Sequence, residues 1–247
     1  MKFIGIDLGW RSGESGLCCL QFEGDCLQLV DVTRRLSLVD IFAWLDQWLE
    51  PEQGAMVAVD APTLIPNQTG TRLPDRLTHQ YFGKYHAGCY PANLGRPFAE
   101  RTIAVGLALE ARQFVHAPTI TPQVPGRYQI EVFPHPAMVR LFQLDQIIKY
   151  KKGKLAEKKR ELNRLQSCLQ NYLSQLTPAL DITQPQIQSL WRSPFDLSGK
   201  DLKALEDQLD SLMCAYIGAY WWHWGLERNQ VLGDRRSGYI VVPKNTP

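Results

Sequence analysis

Apolar positions in the first sixty residues follow two patterns, one typical of β-strands and one typical of an amphipathic helix. Three short apolar segments come first, and a polar turn, Glu23-Gly24-Asp25, joins the second to the third and favours a hairpin. After Ser37, a helix-capping residue, apolar residues recur every three or four positions, and a last apolar run then stops at Pro62. The predicted elements are strands at 2–8, 16–22 and 26–32, a helix at 38–49 and a strand at 55–60.

The order of these elements predicts where two carboxylates lie. A right-handed helical connection usually returns the chain parallel to its first strand, so the strand that ends in Asp60 is expected beside the strand that carries Asp7. Adjacent strands are about 4.8 Å apart, and open α/β sheets bind ligands at the carboxyl ends of their strands. Asp7 and Asp60 are therefore predicted to share one site. The alternative is that each aspartate merely ends a strand.

The middle of the chain is rich in proline. Residues 61–127 contain eight of the sixteen prolines and three of the five histidines, with a helical pattern at 97–114. This composition favours a long insertion or lid over the sheet edge rather than a second core. The strand pattern returns at 128–133, where Glu131 lies.

Helical periodicity covers much of the second half of the chain, at 136–176 and again at 201–226. Residues 149–164 contain eight Lys or Arg and two Glu, although the net charge of the whole chain is only +2. Any attraction to nucleic acid must therefore come from a local patch of this kind. We expect one α/β domain over residues 1–247 that carries a basic helical insertion at 136–200.

Basic residues in two places are candidate phosphate contacts. Lys151, Lys152 and Lys154 belong to the basic run, whose alternative interpretation is a solvated helix face. Arg72 stands three residues before Asp75 in the insertion, and these two residues could contact a phosphate or pair with each other.

Two further acids lie on the last predicted helix. Asp207 and Asp210 are three residues apart, so both can face one site. Asp210 falls close to the apolar stripe, where an isolated carboxylate is costly unless it finds a partner, a proton or a metal. Both could also be ordinary surface residues. If they join Asp7 and Asp60, a cation is needed to offset their repulsion, and carboxylate oxygens suit Mg²⁺ or Mn²⁺.

The cysteines and the first apolar run indicate where the protein resides. The six cysteines show no C-x-x-C pair, which favours reduced packing residues over a zinc or disulfide framework. Asp7 interrupts the first apolar run, which argues against a signal peptide, and no apolar stretch reaches membrane-spanning length. We expect a soluble, cytoplasmic protein without a membrane partner, and a homodimer is left open.

Five segments along nearly the whole chain resemble one family. They are GIDLGW, VAVDAP, IEVFPHP, EDQLDSLMCAYIGA and GDRRSGYIVVP, and they are similar to the uncharacterised domain family numbered 429 (DUF429), predicted nucleases of the ribonuclease H-like superfamily. The resemblance implies a mixed five-stranded sheet in the order 3-2-1-4-5, flanked by helices, with a long insertion after strand 4 and a helical segment after strand 5. The D-x-x-D spacing of Asp207 and Asp210 also resembles that of Holliday-junction resolvases.

The resemblance also implies roles for individual acids. Asp7, Asp60 and Asp210 are implied as ligands of Mg²⁺ or Mn²⁺. Glu131 and Asp207 are implied as supporting catalytic acids.

Three functions are compatible with these residues. A metal-dependent nuclease would hydrolyse phosphodiester bonds of DNA or RNA, and a non-catalytic protein of the same fold would bind nucleic acid without cleaving it. An ATP-dependent phosphotransferase of the sugar-kinase and actin class also carries an Asp-x-Gly signature like Asp7-Leu8-Gly9, but it needs two copies of the strand and helix unit, and the chain shows one. We expect the nuclease, with Gly9 keeping the backbone clear for an approaching phosphate.

Overall fold

The chain is built around a mixed β-sheet with helices on both faces, and a computed structural model describes residues 1–245. The strands are β1 Lys2–Asp7, β2 Ser15–Glu23, β3 Cys26–Arg35, β4 Ala55–Val59, β5 Val115–His116, β6 Arg127–Glu131, β7 Ala179–Leu180, β8 Asn229–Asp234 and β9 Gly238–Pro243. The α-helices are α1 Leu38–Trp48, α2 Leu73–Phe82, α3 Ala99–Glu110, α4 Pro134–Leu141, α5 Leu155–Leu173 and α6 Gly199–Trp224. No helix in the described part of the chain is long and apolar enough to cross a lipid bilayer.

The main sheet contains seven strands in the order β5-β6-β4-β1-β2-β3-β7, and β8 and β9 form a separate pair. The expected sheet of five strands is therefore wrong in its strand number, because β5 and β7 extend its two edges. Each of these strands has two residues, which is too short to show an alternating pattern in the sequence. Strand β1 pairs antiparallel with β2 and parallel with β4, and β4 pairs parallel with β6.

The carboxyl ends of β1, β4 and β6 lie side by side at one edge of the sheet. Ile6 is opposite Val59 across β1 and β4, and Val59 is opposite Glu131 across β4 and β6. The backbone N–H of Asp60 donates to the carbonyl oxygen of Ile6 at 2.9 Å. Asp7, Asp60 and Glu131 therefore reach the same edge from three neighbouring strands.

Helix α6 crosses one face of the sheet in direct backbone contact with β1 and β2. A Cβ atom on Gly5 would lie 2.0 Å from a carbonyl oxygen of α6, and a Cβ atom on Gly16 would lie 2.0 Å from the carbonyl oxygen of Asp207. Only glycine leaves room for a helix backbone this close to a strand. Gly16 pairs with Asp7, so the close approach brings the acids of α6 to the same sheet edge.

Apolar layers cover both faces of the sheet. Helices α4, α5 and α6 pack on one face, and α1 and α3 cover residues such as Ile4 and Val57 on the other. Helix α3 belongs to the segment 61–127, for which the sequence predicts an insertion or lid over the sheet edge. Its residues Val105 and Leu109 complete the second layer, whereas other parts of the segment line the cleft described below.

The helical region expected at 136–176 is interrupted. Helix α4 ends at Leu141, and α5 begins only at Leu155. Gly153, just before α5, has a φ of +105°, a conformation that glycine adopts readily and other residues do not. The lysines at 149–154 therefore lie in a loop, and the rest of the basic run lies on α5.

Candidate functional site

The carboxyl ends of β1, β4 and β6 open into a cleft of about 460 Å³. Its walls are formed by the loop 8–14 after β1, the segment 88–90, Lys151, and Lys203 and Asp207 of α6. Its acidic lining residues are Asp7, Glu14, Asp60, Asp75, Glu131 and Asp207. Carboxylates around one cleft repel each other unless cations compensate them, so the partners of each acid decide what the site can do.

Asp7 and Asp60 are half-buried, and both line the cleft. The pKa of Asp7 is raised to about 7, mainly because burial removes water from its carboxylate. Asp210 and Asp207 also raise this pKa, and Lys151 opposes the shift. Burial raises the pKa of Asp60 well above its usual value, and the charge of Asp7 adds to the effect. Both carboxylates are therefore costly to ionise near neutral pH, and a bound cation would offset that cost.

Lys151 is the cation that these carboxylates share. Its Nζ atom lies 2.8 Å from Oδ2 of the buried Asp210. The Tyr150 hydroxyl donates a hydrogen bond to Oδ1 of Asp210 at 2.5 Å. Burial alone would lower the pKa of Lys151, but the surrounding carboxylates, Asp210 first among them, raise it well above its usual value. Asp7 and Asp60 contribute to this effect, so the ammonium stays charged.

The donor atoms at this site suit a divalent ion, but they are not arranged around one. Asp7, Asp60 and Asp210 offer the carboxylate oxygens that Mg²⁺ and Mn²⁺ prefer. Within residues 1–245, no group of three His, Cys, Asp or Glu side chains is placed so that it could hold a common ion. Lys151 supplies the positive charge instead. A metal site here therefore requires these carboxylates to rearrange.

Arg72, Asp75 and Glu131 form a buried network beside the acids. Arg72 donates to the two oxygens of Glu131 at 2.7 and 2.8 Å, to Asp75 at 2.7 Å and to the carbonyl of Leu64 at 2.8 Å. Burial alone would lower the pKa of Arg72, but its two carboxylate partners raise it. Of the two alternatives for Arg72, pairing with Asp75 is the one that the structure shows. Both oxygens of Glu131 likewise accept hydrogen bonds from Arg72, and its role as a supporting catalytic acid stays a prediction.

Asp207 is paired at the mouth of the cleft. Nζ of Lys203 lies 2.7 Å from its Oδ1, and Nη2 of Arg34 lies 3.0 Å from its Oδ2. The same Arg34 nitrogen lies 2.9 Å from Glu14. Asp207 therefore connects α6 to β3 and, through Arg34, to the loop after β1.

Gly9 lies in the loop after β1 and lines the cleft. A Cβ atom on Gly9 would lie 2.1 Å from the carbonyl oxygen of Gly13, so the loop can close only if the residue is glycine. The backbone N–H of Gly9 donates to Oγ of Ser15 at 3.0 Å. This N–H is therefore occupied within the loop, and a contact between Gly9 and a phosphate stays a prediction.

The three candidate lysines separate in space. Lys151 lines the acidic cleft, whereas Lys152 is exposed and lines a second cavity beside it. Lys154 is the N-terminal cap of α5 and is not among the residues that line either cavity. Only part of the basic run therefore faces the site.

The family of the chain follows from a match along most of its length. The model of the family described as "Protein of unknown function (DUF429)" matches residues 5–234. The chain belongs to this family. The matched range contains every acid of the cleft, so the DUF429 match covers the site as well as the sheet. A search among curated proteins found no match, and a search among solved structures found none either.

Three partners of the acids in this DUF429 chain were not predicted. Lys203 precedes Asp207 by four residues on α6, and this spacing could have indicated the ion pair. Tyr150 and Arg34 contact acids that are distant in the sequence, and no local pattern marks them.

Proposed function

We propose that this DUF429 protein has a ribonuclease H-like fold and hydrolyses phosphodiester bonds of nucleic acid in the cleft. The observation that carries the proposal is the convergence of Asp7, Asp60 and Asp210 from β1, the end of β4 and α6, where the charge of Asp210 helps to raise the pKa of both Asp7 and Asp60. Asp7 and Asp60 line the cleft, and buried acids with raised pKa values in a cleft are typical of functional sites.

Asp7, Asp60 and Asp210 would hold Mg²⁺ or Mn²⁺. Such an ion activates water and stabilises the charge that develops on a phosphate. Tyr150 holds the carboxylate of Asp210 in place through its hydrogen bond. Lys151 lines the same cleft, and once a bound ion displaced its ammonium from Asp210 it would offer its positive charge to a phosphodiester.

The test compares wild-type protein with the Asp7→Asn and Asp60→Asn variants. Labelled single strands, duplexes and four-way junctions of DNA and RNA are incubated with Mg²⁺, Mn²⁺ or EDTA. We expect cleavage only with metal and a loss of activity of at least about 100-fold in each variant. Substituting a residue that only hydrogen-bonds to a metal ligand already lowers metal affinity or activity by about 10- to 100-fold, and these variants change the ligands themselves. Asp25→Asn, in the exposed turn between β2 and β3, should keep wild-type activity. Cleavage that persists in both site variants would contradict the proposal.

A second candidate function is nucleic-acid binding without catalysis. It is favoured by one observation, namely that Lys151 already neutralises the acids while no three-ligand group is formed among the described residues. Under this alternative, wild-type protein binds the labelled strands in EDTA and cleaves none of them with either metal.

A further inference from the structure

A second cavity, of about 760 Å³, opens beside the acidic cleft. The two share walls formed by residues 88–90, Phe133, His135 and Lys151. The histidines and lysines that line the second cavity are His79, His86, His135, Lys149, Lys151 and Lys152. Within residues 1–245, none of its lining residues is Asp or Glu. The two cavities thus form one continuous cleft with an acidic half and a basic half.

Lys149 and Lys152 are the unpaired cations of the basic half. Both are exposed, and neither forms an ion pair within the described part of the chain, whereas Lys151 is held by Asp210. Lysines of this kind bind phosphate groups and release the counterions of a nucleic acid. If one phosphate of a nucleic-acid strand lies in the acidic half, the following phosphates would lie close to these two lysines.

Tyr90 lies at the boundary between the halves, because it lines both cavities. Its side chain is 77% exposed, although a tyrosine ring gains by being covered. An exposed ring beside cationic groups is suited to stacking on a base, which requires that the base be unpaired.

We propose that the basic half binds an unpaired nucleic-acid strand, with Lys149 and Lys152 on its phosphates and Tyr90 stacked on a base. This inference rests on the proposed function for the position of the scissile phosphate. It names the substrate class as single-stranded and places the flanking nucleotides in the basic half.

The experiment measures binding without metal. Fluorescence anisotropy follows a labelled twelve-nucleotide oligothymidylate, and a duplex of the same length, titrated with protein in EDTA. We expect the double variant Lys149→Gln/Lys152→Gln to weaken single-strand binding about tenfold at low salt. It should also reduce the slope of log K against log salt by about 1.4, because each phosphate contact to a single strand contributes about 0.7. Lys158→Gln/Lys200→Gln, which removes the same charge outside the cleft, should bind like wild type.

Tyr90 is tested by a matched pair of variants. Tyr90→Ala should weaken binding about fivefold or more, and Tyr90→Phe should retain it, because stacking needs the ring and not the hydroxyl. Any of three results would overturn the inference. The two lysine double variants could lose equal affinity, the duplex could bind as tightly as the single strand, or Tyr90→Ala could bind like wild type.

The outcome separates this inference from the proposed function. If the protein cleaves nucleic acid with metal but its affinity does not depend on Lys149, Lys152 and Tyr90, only this inference is overturned and the proposed function stands. Binding that depends on these residues, without cleavage under any metal condition, supports the inference and rejects the hydrolytic function.

Discussion

At the scale of single residues, Lys151 pairs with Asp210 and partly offsets the electrostatic cost of ionising Asp7 and Asp60. Asp7 and Asp60 could be placed from the sequence, because a parallel return after a helical connection brings two strand ends together. The partners of Asp210 could not, since Tyr150 lies 60 positions away in a loop whose path no periodic pattern encodes. The order of strands and helices along the sequence predicts which acids share an edge of the sheet. It does not predict which cationic side chains contact these acids.

The substitution Lys151→Gln tests this residue. Removing one partner of a buried ion pair costs about 3–5 kcal/mol. The Lys151 side chain is 34% exposed, so we expect a smaller loss of about 1–3 kcal/mol in the free energy of unfolding. Mn²⁺ should raise the melting temperature more in the variant than in wild type, because the ion meets no competing ammonium.

Differential scanning fluorimetry with Mn²⁺ or EDTA measures both effects, and Lys152→Gln is the control, because Lys152 is exposed and unpaired within residues 1–245. If Mn²⁺ stabilised wild type and Lys151→Gln equally, Lys151 would not compete with a metal.

At the scale of elements, the site depends on how closely α6 lies against β1 and β2. The helix itself was predictable from its periodicity, and so were the strands. The contact depends on Gly5 and Gly16, which leave no side chain between the backbones. A glycine in a strand indicates that some backbone or ligand approaches it closely, but the sequence does not show which helix does so.

Gly5→Ala should separate these elements. The added Cβ would meet backbone atoms at 2.0 and 2.4 Å, which cannot move aside as a side chain could. We expect a loss of about 3 kcal/mol or more in the free energy of unfolding, at or above the upper range for overpacked cores. Gly13→Ala, whose Cβ would have no heavy atom within 4 Å, is the matched control in urea unfolding. Two variants of equal stability would show that α6 is free to shift.

At the scale of the whole molecule, a chain with a net charge of only +2 separates its charges within one cleft. The α/β class followed from the order of strands and helices. The seven-stranded sheet and the basic half of the cleft did not, because two-residue strands and the loop before α5 lack periodicity. The charged residues could be counted from the sequence. Their separation into an acidic half and a basic half of the cleft depends on the conformation of the loops and could not be predicted.

The pH dependence of stability involves a different buried group. Burial lowers the pKa of His116 to about 4, and Arg235 lowers it as well, although Glu110 lies 3.6 Å from its Nε2. Protonation of Asp7 and Asp60, whose pKa values are raised, favours the folded chain as the pH falls. At His116 the unfolded chain binds a proton between pH 6.5 and 4 that the folded chain does not, so the contribution of this residue to stability is lost as the pH falls through that window. The contribution is up to about 3 kcal/mol.

Urea unfolding at several pH values should show that the free energy of unfolding of His116→Phe rises relative to that of wild type as the pH falls from 6.5 to 4. His79→Gln, which changes an exposed histidine, is the control. An unchanged pH slope in His116→Phe would contradict this role of His116.

The most direct measurement for the central claim is anomalous diffraction from crystals of the wild-type protein grown with Mn²⁺. We predict one or two manganese peaks in the acidic half, with carboxylate oxygens of Asp7 and Asp60 at about 2 Å and the ammonium of Lys151 moved away from Asp210. A cleft without manganese, in which Lys151 still holds Asp210, would contradict the account.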